Sequence, residues 1–391
     1  MYFKRNVSSQ IIKLQKGFPV ISVTGPRQSG KTTFLQHHFS DYTYFNLENP
    51  QTREFVQSDP QQFLKTNPKN IIIDEVQRLS ELLSYIQVHV DKQQKMGSIV
   101  ISGSQNLLIS ENISQSLVGR AGYQNIFPFS LKELRTHKLN LSNHYEQILK
   151  GFYPALYTRD VEPALFYSRY LATYVERDAR LIKNIQNLSQ FQKFMGLLAG
   201  RVGQVVNVSS LANDTGIAPN TAEDWISILE ASYIVYRLQP YYKNTGKRLI
   251  KSPKIYFYDT GVLCSLLNLS SVNELMNHYA VGSIFENFII SEFKKEISET
   301  NKSARIYFYR DNHGNEIDLI IDTGGHLVPV EVKSSSTFSK NFFKGFRYWK
   351  KHIDETAQGF VVYGGDETQK IQDHQLVSWM NLQQVFDKPK F

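Results

Sequence analysis

The chain has 391 residues, 41% of them hydrophobic and 13% aromatic, which is the composition of folded domains and excludes a disordered chain. Its formal charge of +8 is compatible with a polyanionic partner but too small to demand one. No run approaches the ~18 apolar residues of a membrane span, and Met1 to Asn6 lack the apolar core of a signal peptide, so a cytoplasmic protein with no membrane contact is expected. A single cysteine, Cys264, rules out an internal disulfide or a multi-cysteine zinc site and reads as a small buried hydrophobe.

From the N-terminus, Pro19 to Thr24 is a short β-branched run that feeds Gly25-Pro26-Arg27-Gln28-Ser29-Gly30-Lys31-Thr32, after which residues 32 to 39 carry no helix breaker. Strand, loop and helix in this order form a phosphate cradle. The two glycines let backbone N–H groups turn around phosphate oxygens, Lys31 reaches the β- and γ-phosphates, and the Thr32 hydroxyl ligates Mg²⁺. Residues Gly25 to Thr32, together with Thr33, are the expected nucleotide contacts. Further strand-like runs at 42–45, 70–73, 98–101 and 123–127 alternate with helical stretches, the pattern of a parallel sheet that binds ligands at the carboxyl ends of its strands.

Every candidate residue of this first domain (1–145) lies at such an end. The run Ile71 to Ile73 delivers Asp74 to hold Mg²⁺ and Glu75 to polarise the attacking water. This acidic pair points to ATP hydrolysis, since the guanine-selecting Asn-Lys-x-Asp of a GTPase is absent. Ser104, with Ser102 as the alternative, is placed as a polar sensor, and Asn46 as a restraint on Glu75. Arg120, flanked by Gly119 and Gly122, is the candidate charge stabiliser, acting in cis or on a neighbour's nucleotide in trans.

The middle segment (146–275) turns to aromatic-rich helices. Tyr170 to Asp178 reads as helical, with Arg177 and Asp178 either a structural ion pair or a coupling element. Helices over Phe191–Leu198, from Ser209 to Gly216 and over Thr221–Ser232, followed by strands Tyr233–Leu238 and Lys254–Tyr258, predict a winged helix-turn-helix. Its second helix carries Glu223, Asp224 and Glu230 with no basic residue, which argues against major-groove reading and a transcription regulator. The wing differs. Lys243, Lys247, Arg248, Lys251 and Lys254, with Tyr241 and Tyr242 for stacking, suit non-specific contact with a DNA backbone, a solvated basic hairpin being the alternative.

In the last segment (276–391), Glu316 to Asp322 and His326 to Lys333 read as two strands joined by Gly324-Gly325. Alternation puts Ile317, Leu319 and Ile321 on one face and Asp318 on the other; Val328, Val330 and Val332 likewise oppose Glu331 and Lys333. Two carboxylates that bind Mg²⁺ and a lysine that positions water are what metal-dependent phosphodiester cleavage requires. Glu286 falls inside an apolar helical stripe with Phe285, Phe288 and Ile289, a costly place for a carboxylate without a partner, and is a fourth candidate metal ligand.

With these residues placed, the chain resembles, over nearly its full length, a prokaryotic family of AAA-type ATPases whose C-terminal part is a domain of unknown function. The resemblance rests on the Gly25 to Thr32 loop, Asp74-Glu75, Gly103-Ser104, Gly119-Arg120, Arg177-Asp178, Asp259 to Gly261, and Asp318 with Glu331 and Lys333. The last group is similar to the PD-(D/E)XK nuclease motif, with Ile317 in place of its proline. The resemblance implies ATP as ligand. The expected architecture is an α/β protein: a P-loop domain of the AAA (ASCE) type with a parallel sheet, a central winged helix and an α/β nuclease-like domain. Two outputs follow: an ATPase acting on DNA, or an ATP-regulated DNA- or protein-binding scaffold, homo-oligomers included, whose nuclease-like domain is silent.

Overall fold

The computed structural model describes residues 2–67, 70–104, 117–174, 185, 187–242, 252–300, 303–354, 358–371 and 373–387. The N-terminal sheet consists of β1 (Val20–Thr24), β2 (Thr43–Asn46), β3 (Ile71–Asp74), β4 (Ile99–Gly103) and β5 (Ala121–Asn125), in the order β2-β3-β4-β1-β5. All pairings are parallel. Every residue of β1, β3 and β4 is buried, as continuous apolar strands covered on both faces require. Alternation then sorts the side chains. Ile21, Val23, Ile72 and Val100 pack with Val7, Ile11 and Phe34 on one face, and Val20, Ile71, Ile73 and Ile101 with Leu82, Leu83 and Ile86 on the other. The carboxyl ends of β1 and β3 therefore lie side by side across β4, bringing Gly25 and Asp74 to one edge.

The middle segment contributes helices Leu188–Ala199, Val208–Thr215 and Pro219–Ala231, followed by the antiparallel pair β6 (Val235–Leu238) and β7 (Lys254–Phe257). Two helix starts differ from expectation. Asn207, not Ser209, caps the second helix by accepting from Ser210 N–H, and the third begins at Pro219, whose missing N–H is harmless at a first-turn position, one residue before the expected Asn220 cap. Trp225 packs edge-on against Phe191 and Phe194. Glu223 and Glu230 both pair with Arg237 of β6, so the acidic helix face is partly neutralised from within.

The C-terminal segment opens with a long helix, Val281–Thr300, and builds a mixed sheet from β8 (Arg305–Arg310), β9 (Glu316–Asp322), β10 (Leu327–Lys333), β11 (Phe360–Tyr363), β12 (Gln369–Ile371) and β13 (His374–Ser378), in the order β12-β13-β11-β10-β9-β8. Strict alternation fails in β9. Tyr307 pairs with Ile320 but Tyr309 with Ile317, so Asp318 and Leu319 together face Phe308. This β-bulge reverses the parity on one side of it. Ile317 accordingly joins Ile320, Leu327 and Trp349 in one core, whereas Leu319, Ile321, Val328, Val330 and Val332 lie in another with Ile284, Phe285 and Phe288.

That second core runs without interruption from Phe127 and Phe129 through Trp225 and Tyr256 to Trp379 and Phe386. The three segments thus share one apolar interior. The distal half of the long helix adds a polar seam. Leu131 N–H donates to Glu292 (2.5 Å), Lys295 Nζ to Glu292 (2.7 Å) and Phe129 O (3.0 Å), and the Gln10 and Gln124 amides to Thr300 O (2.7 Å) and Ser298 O (3.0 Å). Buried charges survive only with such added partners.

Candidate functional site

The phosphate loop is held in its cradle shape by backbone conformations that suit glycine. Gly25 has φ +149°, and a Cβ there would stand 2.1 Å from the Ile126 carbonyl oxygen; Gly30 has φ +91°. Lys31 Nζ donates to Gly25 O (2.9 Å) and Pro26 O (2.8 Å), curling over its own loop. Arg5 braces the loop from behind: it donates to Ser29 O (2.9 Å), Phe127 O (2.6 Å) and Glu133 Oε1 (2.9 Å). At the end of β3, Asp74 accepts from Thr32 Oγ1 (2.8 Å), Tyr44 OH (2.6 Å), Ser102 Oγ and the Glu75 N–H (3.1 Å). Burial and then the Asp74 hydrogen bond push the Tyr44 phenol far up, so it stays a donor. All four donors are neutral. They orient Asp74 without cancelling its charge, which leaves it fit, with the Thr32 hydroxyl, to hold Mg²⁺.

Glu75 adopts a left-handed conformation, φ 57°, the kind of local strain that packing holds at functional positions. Its Oε2 accepts from Ser104 Oγ (3.1 Å) and from Gln77 Nε2. Gln77 therefore restrains Glu75, the role expected of Asn46; Asn46 Oδ1 accepts from the Glu48 N–H (2.8 Å). A cavity of about 570 Å³ opens here, lined by Arg27, Gln28, Gly30 to Thr33 and Glu75 on one side and by Pro154, Arg159, Tyr170 and Tyr174 of the middle segment on the other.

The second cluster sits where β7, the long helix, β9 and β10 meet. Lys333 Nζ donates to Glu331 Oε2 (2.5 Å) and Asp318 Oδ2 (3.2 Å), and Val332 N–H to Asp318 (2.7 Å). Asp318, Glu331 and Lys333 are brought together as parity suggested. Glu286 is close by but engaged elsewhere: it accepts from Lys254 Nζ (3.0 Å) and Tyr256 OH (2.5 Å), and Lys254 also pairs with Glu316 (2.5 Å). Burial opposes ionisation of Asp318, but Lys333 and Lys254 outweigh it and keep the carboxyl below its usual value. Burial and the neighbouring Asp318 push Glu331 up to about 8 despite Lys333. Among the described residues, no three acidic, histidine or cysteine side chains are arranged to hold a metal ion. The expected set Glu286, Asp318 and Glu331 is not gathered as one ligand group, because Glu286 is drawn to Lys254 while Asp318 and Glu331 share Lys333.

Residues 17–135 match an AAA domain. The N-terminal domain is that of a P-loop ATPase of the AAA type. Residues 142–273 and 281–382 match two domains of unknown function, DUF8612 and DUF4143. The chain is 27% identical over 338 residues to an uncharacterized protein of Mycobacterium tuberculosis, covering 85% of this chain and 74% of that relative. It is 23% identical over 383 residues to an uncharacterized protein of Methanocaldococcus jannaschii, covering 89% and 83%. A Walker-type ATPase of Pyrococcus abyssi superposes with a TM-score of 0.46 at 14% identity, over 68% of this chain and 96% of that one.

Within the ATPase domain, Arg120 stands elsewhere than expected. Val20 pairs with Ala121, so Arg120 lies at the amino end of the sheet, about 16 Å of strand from the loop, where it forks onto Asp91 (2.5 and 2.8 Å). A role in cis is excluded. Among the described residues, Arg159 and Arg27 are the arginines that line the cavity with Arg5. The DNA-contact expectation for Lys254 is also corrected: its side chain is 2% exposed and points inward. Tyr241 likewise packs on Tyr307 and Trp349. Lys243, Lys247, Arg248, Lys251, Arg177 and Asp178 lie outside the described residues. Cys264 is buried, and among the described residues no helix is long and apolar enough to cross a membrane. Sequence reasoning missed Arg5, Tyr44, Gln77, Arg159 and Glu316. A polar side chain next to a strand end was the only available sign for Tyr44 and Gln77.

Proposed function

We propose that the protein is an Mg²⁺-dependent ATP hydrolase whose nucleotide cycle acts on a winged-helix segment and a nuclease-like C-terminal domain, with DNA contacted without sequence selection. The observation that carries the enzymatic part is Asp74, bonded to Thr32 Oγ1 at 2.8 Å and followed at once by Glu75 at the edge of the cavity. When bound there, Mg²⁺ supplies positive charge to the β- and γ-phosphate oxygens. The protein's own groups do the rest. The loop N–H groups and Lys31 hold phosphate oxygens, Glu75 takes the proton of the attacking water, Ser104 and Gln77 fix its carboxylate, and Arg159 offers charge from the middle segment in cis. For DNA, the support is the cation-rich stretch 243–251 between β6 and β7, which suits a phosphate backbone.

The test is ATP turnover with and without linear or single-stranded DNA. Glu75→Gln should bind ATP yet hydrolyse it on the order of 10²- to 10⁴-fold more slowly, and full turnover in this variant would sink the assignment. DNA affinity should fall steeply with added salt, and a flat response would remove DNA as the partner. The engagement of Lys254 with both Glu286 and Glu316 favours the second reading of the C-terminal domain, as a binding module that does not cut. Metal-dependent cleavage that disappears in Glu331→Ala would reverse that preference.

A further inference from the structure

Lys254 is almost fully buried, yet no apolar burial explains a charged residue at the head of β7. Its ammonium lies 3.0 Å from Glu286 and 2.5 Å from Glu316, and Tyr256, two residues on, donates to the same Glu286 oxygen. Asp318, two residues along β9 from Glu316, pairs with Lys333 (3.2 Å) and also feels the charge of Lys254. Two elements thus bring carboxylates onto one ammonium: the long helix through Glu286 and β9 through Glu316. Lys333 and Arg310 complete the set, the latter 3.5 Å from Glu316. Four carboxylates meet three cations from the chain itself, which is the charge balance a divalent ion would otherwise provide.

We infer that the Lys254 ammonium is the resident cation of this cluster, holding the position between Glu286 and Glu316, on the strand that also carries Asp318, from which it excludes Mg²⁺ or Mn²⁺ while β7 is docked. The inference rests on the nuclease-like reading of the C-terminal domain only in treating these carboxylates as its reactive centre. It makes the middle segment, which owns Lys254, the element that decides whether that centre takes metal. The docking of β7 is itself built in: the chain just after β6 pairs with the sheet edge through Tyr241 N–H to Phe308 O (2.7 Å) and Phe308 N–H to Gln239 O (3.1 Å).

The test uses the full chain without nucleotide and Mn²⁺ as probe, following loss of the free-ion EPR signal. Wild type should show no binding that depends on Asp318. Lys254→Met should bind one Mn²⁺ on the order of a hundredfold more tightly, and Lys254→Met combined with Asp318→Asn should lose it. Thermal melts cover the case in which Lys254→Met folds poorly: Mn²⁺ should raise its melting temperature by more than that of wild type, and Asp318→Asn should abolish the difference. Asp318-dependent binding in wild type overturns the inference, as does a Lys254→Met protein that Mn²⁺ binds and stabilises no more than wild type. Failure of the nuclease reading looks different. Lys254→Met would then bind Mn²⁺ and cut no DNA, whereas Asp318-dependent cutting by wild type would uphold that reading and refute the role of Lys254.

Discussion

Two acidic centres in this molecule are built from the same residue types but are balanced in opposite ways. Asp74 is surrounded by hydroxyls from Thr32, Tyr44 and Ser102, which fix its geometry and leave its charge intact. Asp318 and Glu331 share Lys333, and Glu286 and Glu316 share Lys254. A carboxylate ordered by neutral donors still calls for a cation; one ordered by ammonium groups already has it. The two sites also differ in access, since Thr32 and Glu75 border a cavity that a nucleotide can fill, while the side chain of Lys254 is sealed.

Charge removal should expose this contrast most strongly at the open centre. Asp74→Asn keeps the hydroxyl partners but loses the charge, and steady-state ATP hydrolysis should drop on the order of a thousandfold; Asp318→Asn in the same assay should leave turnover within about twofold. At the sealed centre the effect moves to stability. Lys254→Ala strands the buried Glu286 carboxylate and should cost about 3–5 kcal/mol in denaturant unfolding, as removal of one partner of a buried pair does. Gly345 sharpens the point, since a Cβ there would come within 2.0 Å of Glu331 Oε1 and 2.9 Å of the Glu316 carbonyl oxygen. Gly345→Ala should therefore lower stability by about 1–3 kcal/mol through overpacking, with no change in ATP affinity.

The smallest expected effect lies in the seam between the two centres. Burial and then the nearby Glu133 raise the Glu299 carboxyl well above its ordinary value. The folded state therefore retains a proton that the unfolded chain releases above about pH 4.3, and stability falls as pH rises past that point. Glu299→Gln removes this loss. Its melting temperature should match wild type near pH 4 and exceed it progressively toward pH 8, and a constant difference across pH would refute the assignment.

The ATPase domain was largely legible from local pattern, because phosphate chemistry concentrates its requirements in eight consecutive residues and the ends of apolar strands. Strand positions were found within one or two residues. Arg120 was misplaced because a glycine-flanked arginine before a strand gives no indication of which end of the sheet it occupies; the pairing of Val20 with Ala121 decides that. Lys254 was misread for a related reason. It follows four cations in sequence and looks like a continuation of them, but the buried strand beginning at Lys254 turns it inward toward acids 32 and 62 residues away. The Asp318–Glu331–Lys333 convergence was read from alternation, whereas the bulge that sets Asp318 apart from Ile317 and joins Ile317 to Ile320 needs the partner strand to be seen.

The seam along the long helix has a practical consequence for dissection. Expressing only the part that precedes residue 281 would strip the acceptors from Gln10 and Gln124 and the carboxylate from the Leu131 N–H, and would lay bare the apolar surface around Phe127 and Phe129. An isolated ATPase fragment should be insoluble or inert for that reason alone. Its silence would say nothing about the phosphate loop. Assays that assign labour between the segments belong on point variants of the whole chain.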